Sequence, residues 1–85
     1  MEIIKTGDFN RSFDSLPLEI KRIYTVQEKR FKESWRDSRL HIKKVQILPY
    51  ALSFRITRRY RVFFYFKSPE IAIFFEVDHR KDIYK

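Results

Sequence analysis

Two spacings of apolar residues divide this chain near residue 40. Before it, Phe9, Phe13 and Leu16 recur four and three apart, and Ile20, Ile23, Tyr24, Phe31 and Trp35 continue the same stripe with Gln27 among them. That period belongs to a helix with one buried face. Asp8 suits the N-cap of a short first helix, and Pro17 suits the first turn of a second one running to about Arg36. At 1.5 Å per residue the second helix is about 30 Å long, with Lys21, Arg22, Lys29, Lys32 and Arg36 on its outer side. Ahead of both, Ile3-Ile4 reads as a short strand ended at Gly7.

Beyond residue 40 the period shortens to two. Tyr50 to Thr57, Tyr60 to Lys67 and Glu70 to Val77 read as three strands, rich in β-branched and aromatic residues. The stretch from His41 to Leu48 changes parity between Ile42 and Val45, which fits a bulge or loop at Lys43-Lys44. The predicted architecture is α+β, in β-α-α-β-β-β order. A twisted antiparallel sheet of about four strands carries the two N-terminal helices on one face. Eighty-five residues suffice for one domain, taken as residues 1–85.

The alternation also predicts register. A two-residue turn at Arg58-Arg59 sets Ile56 on the same face as Arg61. A three-residue turn from Thr57 to Arg59 instead pairs Ile56 with Tyr60 and keeps arginine out of the core, so it is the favoured register. Leu52, Phe54, Ile56, Tyr60, Val62, Phe64 and Phe66 then share the apolar face. Ser53, Arg55, Thr57, Arg61, Phe63 and Tyr65 share the other. The second hairpin, around Lys67-Ser68-Pro69-Glu70, is expected to pair Phe66 with Ile71. That places Phe63 opposite Phe74 and Arg61 opposite Glu76. One row, Arg55–Arg61–Glu76, is thereby predicted on the helix-free face, where two adjacent guanidinium groups call for an anion between them.

Composition sharpens the picture. Nineteen Lys and Arg against eleven Asp and Glu give a net charge of +8, and ten of those cations are arginine. Such a charge speaks about partners: a nucleic acid, an anionic membrane face or an acidic protein. Phe63, Phe74 and Tyr65 beside the cations suit RNA, because unpaired bases stack on aromatic rings and guanidinium planes, and they equally suit cover by the C-terminal tail or a partner protein. Absence of cysteine excludes disulfides and thiolate chemistry and fits a reducing compartment. No stretch approaches the roughly 20 apolar residues of a membrane helix, and Met1-Glu2-Ile3-Ile4-Lys5 has no apolar leader, so a cytoplasmic protein without a membrane partner is expected. Two histidines make no metal-ligand spacing, and one glycine makes no phosphate-cradling loop, so neither metal nor cofactor is expected. The last residues, Asp78-His79-Arg80-Lys81-Asp82-Ile83-Tyr84-Lys85, leave the third strand beside the arginine row, which brings an imidazole and a phenol within expected reach of it.

The stretch Ser53-Phe54-Arg55-Ile56-Thr57-Arg58-Arg59-Tyr60-Arg61-Val62-Phe63-Phe64, together with His79-Arg80-Lys81-Asp82-Ile83-Tyr84-Lys85, resembles the RelE/ParE superfamily of toxins. Phe9-Asn10-Arg11-Ser12-Phe13-Asp14-Ser15-Leu16-Pro17 and Ile20-Lys21 are similar to that family's opening helices. The resemblance covers nearly the whole chain. It implies a type II toxin whose RelE-like branch is a metal-free, ribosome-dependent mRNA endoribonuclease, and a cognate antitoxin partner, acidic or amphipathic. On this chain it implies Arg61 and Arg55 on the phosphate, Tyr84 or His79 moving protons, and Arg80 neutralising the leaving side. Lys43, Lys44, Arg58, Arg59, Lys81, Phe63 and Phe74 would contact mRNA and ribosomal RNA. Arg61→Ala is expected to abolish toxicity with the fold intact. One departure is that Ser53 stands where some members carry a charged group. Another branch of the superfamily poisons DNA gyrase and is not a nuclease.

Overall fold

Thr6, rather than Asp8, starts the helical layer: its Oγ1 accepts a hydrogen bond from the Phe9 N–H at 3.1 Å. In the computed structural model, which describes residues 1–79, this cap separates strand β1 (Glu2–Lys5) from helix α1 (Gly7–Asp14). Helix α2 (Leu18–Glu33) begins after Pro17 and stops three residues short of Arg36. Its sixteen residues span about 24 Å. Trp35 lies past its end, edge-on to Phe66 with ring centroids 4.9 Å apart. A single 3₁₀ turn (Ser38–Leu40) leads to β2 (Lys43–Lys44), β3 (Leu52–Thr57), β4 (Tyr60–Ser68) and β5 (Ile71–His79). No helix among the described residues is long and apolar enough to cross a membrane.

Among the described residues the sheet has five strands in the order β1-β5-β4-β3-β2. The expected antiparallel hairpins are present, but β1 lies parallel to β5, Glu2 beside Ile71 and Lys5 beside Phe74, so the sheet is mixed. Parallel pairing needs a long connection: the two helices carry the chain from the β1 edge to the β2 edge, and β2, β3 and β4 lead back to β5. The fold is α+β with both helices on one face, as their apolar stripes require.

Aromatic side chains fill the space between the layers. Phe31 of α2 is fully buried and meets Phe64 at 4.9 Å, Phe74 at 5.1 Å and Phe54 at 5.4 Å. Phe9 of α1 and Tyr24 of α2 extend the cluster. Each such burial contributes on the order of 1.5–3 kcal/mol, which is how a small chain without disulfides acquires a core. At the edge of that core Lys5 pairs with Glu28 at 2.6 Å, and the Tyr24 hydroxyl donates to the same carboxylate at 2.7 Å. Burial acts to raise the Glu28 pKa, but the Lys5 and Tyr24 bonds outweigh it and hold the carboxyl below its ordinary range.

Candidate nucleic-acid interface

The β3–β4 hairpin combines features of both predicted registers. Thr57 pairs with Tyr60, so the turn has only Arg58 and Arg59, both exposed. A bulge between Arg55 and Thr57 then absorbs the extra residue, Ile56, and Arg55 faces Arg61. Hence the tight turn does not carry arginine into the core. The Arg59 N–H donates to Thr57 Oγ1 at 3.2 Å, and neither turn residue has positive φ, so no glycine is required.

Behind that turn the two opposed arginines differ sharply. Arg61 is 4% exposed. Its Nε donates to Ser53 Oγ at 2.8 Å, and its Nη2 donates to the backbone carbonyls of Ser53, at 3.2 Å, and of His41. His41 takes φ 49°, left-handed backbone that an imidazole-bearing residue adopts more readily than most, at the end of the 3₁₀ turn. Arg61 is therefore a charge fixed beneath the 41–53 segment rather than an open clamp, which corrects the expectation that it could be removed without harm to the fold. Ser53, at 3% exposure, is the residue that steers it. Arg55 is half-buried, and among the described residues its Nε has no hydrogen-bond partner. Gln27 of α2 reaches across the core and donates to the Arg55 carbonyl at 2.7 Å, fixing the strand just before the bulge.

Across β4 and β5 the register departs from the prediction. Arg61 lies opposite Asp78, not Glu76. Glu76 lies opposite Phe63, and its carboxylate accepts from Ser12 of α1. Two shifts are the cause: at the turn Ser68 pairs with Ile71 and Phe66 with Ala72 rather than with the expected Ile71, and farther along a bulge, with Phe63 on Glu76 but Phe64 on Phe74, leaves Phe75 as the extra residue. The shift at the turn sets Phe74 beside Phe64, so Phe74 is fully buried in the core and unavailable to RNA. Phe75 takes the place expected of it, with its ring 6.2 Å from Phe63 and 5.8 Å from Tyr65. Tyr50, unsuspected in the sequence, stands over this pair, 5.8 Å from Tyr65 and 6.3 Å from Phe75.

His79 pairs with Tyr60, in the alternation that carries Val62 and Val77, and stacks on the Tyr60 ring at 4.5 Å and 8°. It lines a cleft with Ser12, Ser15 and Leu16 on the helix side, away from Arg55. Sequence alone had brought it to the arginine row. Lys43 and Lys44 are exposed on β2, Lys43 paired with Ser53 and so on the row beside Phe63. Arg80, Lys81 and Tyr84 lie outside the described residues.

No family model and no curated protein matches the sequence. Solved structures do. The chain superposes on the RelE of a RelB-RelE antitoxin-toxin complex from Methanococcus jannaschii with a TM-score of 0.75, at 22% identity, over 95% of this chain and 94% of that one. A YoeB/ParE toxin from Agrobacterium tumefaciens gives 0.75 at 11% identity over 93% and 98%. The chain has the RelE/ParE fold. YafQ from E. coli shares the RelE/ParE fold with it at 0.72 and 9% identity, over 99% and 98%. Within the RelE/ParE fold of this chain, Arg55 and Arg61 stand on the sheet face that the helices leave open.

Proposed function

We propose that this chain is the toxin of a type II toxin–antitoxin pair, acting in the cytoplasm as a metal-free, ribosome-dependent mRNA endoribonuclease. One observation carries the reading: Arg55 and Arg61 are direct cross-strand neighbours on the helix-free face of a fold shared with RelE, YafQ and YoeB/ParE toxins. Arg55 presents the accessible guanidinium for a phosphate, and the buried, anchored Arg61 adds a fixed positive charge beneath it.

In the proposed reaction the ribose 2′-oxygen attacks the adjacent phosphorus as the bond to the 5′-oxygen breaks. The products are a 2′,3′-cyclic phosphate and a 5′-hydroxyl, and the proton lost by the 2′-hydroxyl is matched by one gained at the leaving oxygen. Arg55, the more accessible of the pair, contacts the phosphate. Arg61, anchored by Ser53 and His41, adds a fixed positive charge that needs no rearrangement as negative charge grows on the phosphoryl oxygens. Because His79 is stacked against Tyr60 on the helix side, the proton-carrying role goes to Tyr84, with Arg80 on the leaving side. Lys43, Lys44, Arg58, Arg59 and Lys81 dock messenger and ribosomal RNA. The partner is an acidic antitoxin segment that covers this cationic face, a role supported by the antitoxin-bound state of the Methanococcus jannaschii and E. coli RelE structures.

Primer extension on an mRNA under translation tests the proposal. The chain should introduce cuts within codons, and Arg55→Ala should reduce them about 100-fold or more, the usual effect of losing one charge-stabilising group. Undiminished cutting by Arg55→Ala refutes the assigned site. Absence of cuts, with cleaved DNA trapped on gyrase, moves the protein to the gyrase-poisoning reading.

A further inference from the structure

The open face carries more aromatic surface than a phosphate clamp uses. Phe63, Phe75, Tyr65 and Tyr50 form one continuous run of rings, each within 6.3 Å of the next. None belongs to the helix-covered core, and Tyr50 is 63% exposed. Its loop is nonetheless held in shape. Val45 N–H donates to the Ala51 carbonyl at 3.1 Å, Leu48 N–H to Val45 at 3.2 Å and Ala51 N–H to Leu48 at 2.9 Å. A ring presented to water on a hydrogen-bonded loop loses little conformational freedom when something settles on it.

We propose that Tyr50, with Tyr65, Phe75 and Phe63, is a stacking platform for unpaired bases of the RNA strand whose phosphate sits at Arg55. The proposal rests on the RNA-directed reading above and extends it from the cut phosphate to the neighbouring nucleotides. Charge favours a nucleic acid: Lys43 lies on the Ser53–Phe63 row, and Arg55 and Arg61 form the next row along the same strands, about 7 Å away. Cations thus border the rings on the side facing the clamp, an arrangement that holds a phosphate backbone while its bases lie on the aromatic faces. Every base has a π-face, so the platform raises affinity for any unpaired stretch and leaves sequence preference to other contacts.

The test uses a short, fluorescently labelled 2′-O-methyl oligoribonucleotide, which lacks the attacking hydroxyl and is not cut, and an abasic strand of equal length, both followed by fluorescence anisotropy. Tyr50→Ala should weaken binding of the base-bearing strand about tenfold and leave the abasic strand unchanged, while Tyr50→Trp retains the affinity. Ile47→Ala is the control, because Ile47 is 84% exposed in the same loop and has no ring to stack. Equal affinity of Tyr50→Ala and the unmodified chain for the base-bearing strand overturns the proposal. So does an equal loss on the abasic strand, or an equal loss in Ile47→Ala. Far-UV circular dichroism confirms that each variant is folded. No ribosome or cleavage enters this measurement, so its failure is distinct from failure of the Arg55→Ala cutting test.

Discussion

Replacing Arg61 by alanine should unfold part of what holds the candidate site, and the cost follows from its bonds. The substitution strips donors from Ser53 Oγ, the Ser53 carbonyl and the His41 carbonyl, and it does so where Arg61 is 4% exposed. Hydrogen bonds to a charged group contribute about 1.5–3 kcal/mol each and are not additive. Breaking a buried charged arrangement by deleting one member costs roughly 3–5 kcal/mol. We expect a loss of about 3 kcal/mol, a large share of the roughly 4–13 kcal/mol expected for a chain this long. With a urea m-value of about 1 kcal/mol/M, the unfolding midpoint drops by about 3 M. Arg55→Ala, at a half-exposed position on the same row, should cost under about 1 kcal/mol. Equilibrium urea unfolding of both variants by circular dichroism reads the difference. Coincident midpoints for the two would refute the assignment of Arg61 as an anchored charge. Loss of activity in Arg61→Ala therefore reports stability as well as chemistry, whereas Arg55→Ala isolates chemistry.

Two further outcomes are expected. Gln27→Leu removes a side chain that donates to the Arg39 and Arg55 carbonyls and accepts from Arg30, so it should cost about 2 kcal/mol, and a loss below about 0.5 kcal/mol in urea unfolding would contradict the bridging role. Glu28 has a depressed pKa in the folded chain, so its stabilisation is complete above the unfolded value near 4.5 and disappears as pH falls through the lower folded value. Lys5→Met should raise the Glu28 carboxyl titration followed by NMR and lower the unfolding midpoint at pH 7 more than at acid pH, and an unmoved titration would exclude Lys5 as a cause.

The sequence made the helices and both β-hairpins legible because their periods are clean over many residues. Arg55 opposite Arg61 was readable because a one-residue slip sends arginine under the helices, a penalty visible in the pattern itself. The bulge at Phe75 was not readable. In Ile73-Phe74-Phe75-Glu76-Val77 three apolar residues stand side by side, and alternation alone cannot say which of the two phenylalanines faces the helices. The shift at the Lys67 turn exchanged Phe74 for Phe75, and the bulge at Phe75 added the second step that set Asp78 rather than Glu76 against Arg61. Neither the parallel β1–β5 pairing nor the burial of Arg61 carries a local signature: the first joins Ile3 and Ile4 to residues far along the chain, and the second depends on the His41 carbonyl. Alternation makes Tyr50 the beginning of a strand, whereas its position over Tyr65 and Phe75 depends on the loop bonds at Val45 and Ala51.

Pairing of Glu2–Lys5 with Ile71–Phe74 has a consequence for biosynthesis. The first strand made has no neighbour until the last strand of the sheet emerges, about seventy residues later, and that same last strand sets Asp78 against Arg61. Contacts of such long sequence separation form late and slowly. A nascent chain therefore lacks the finished cationic face until Ile71–His79 has been made and has docked between β1 and β4.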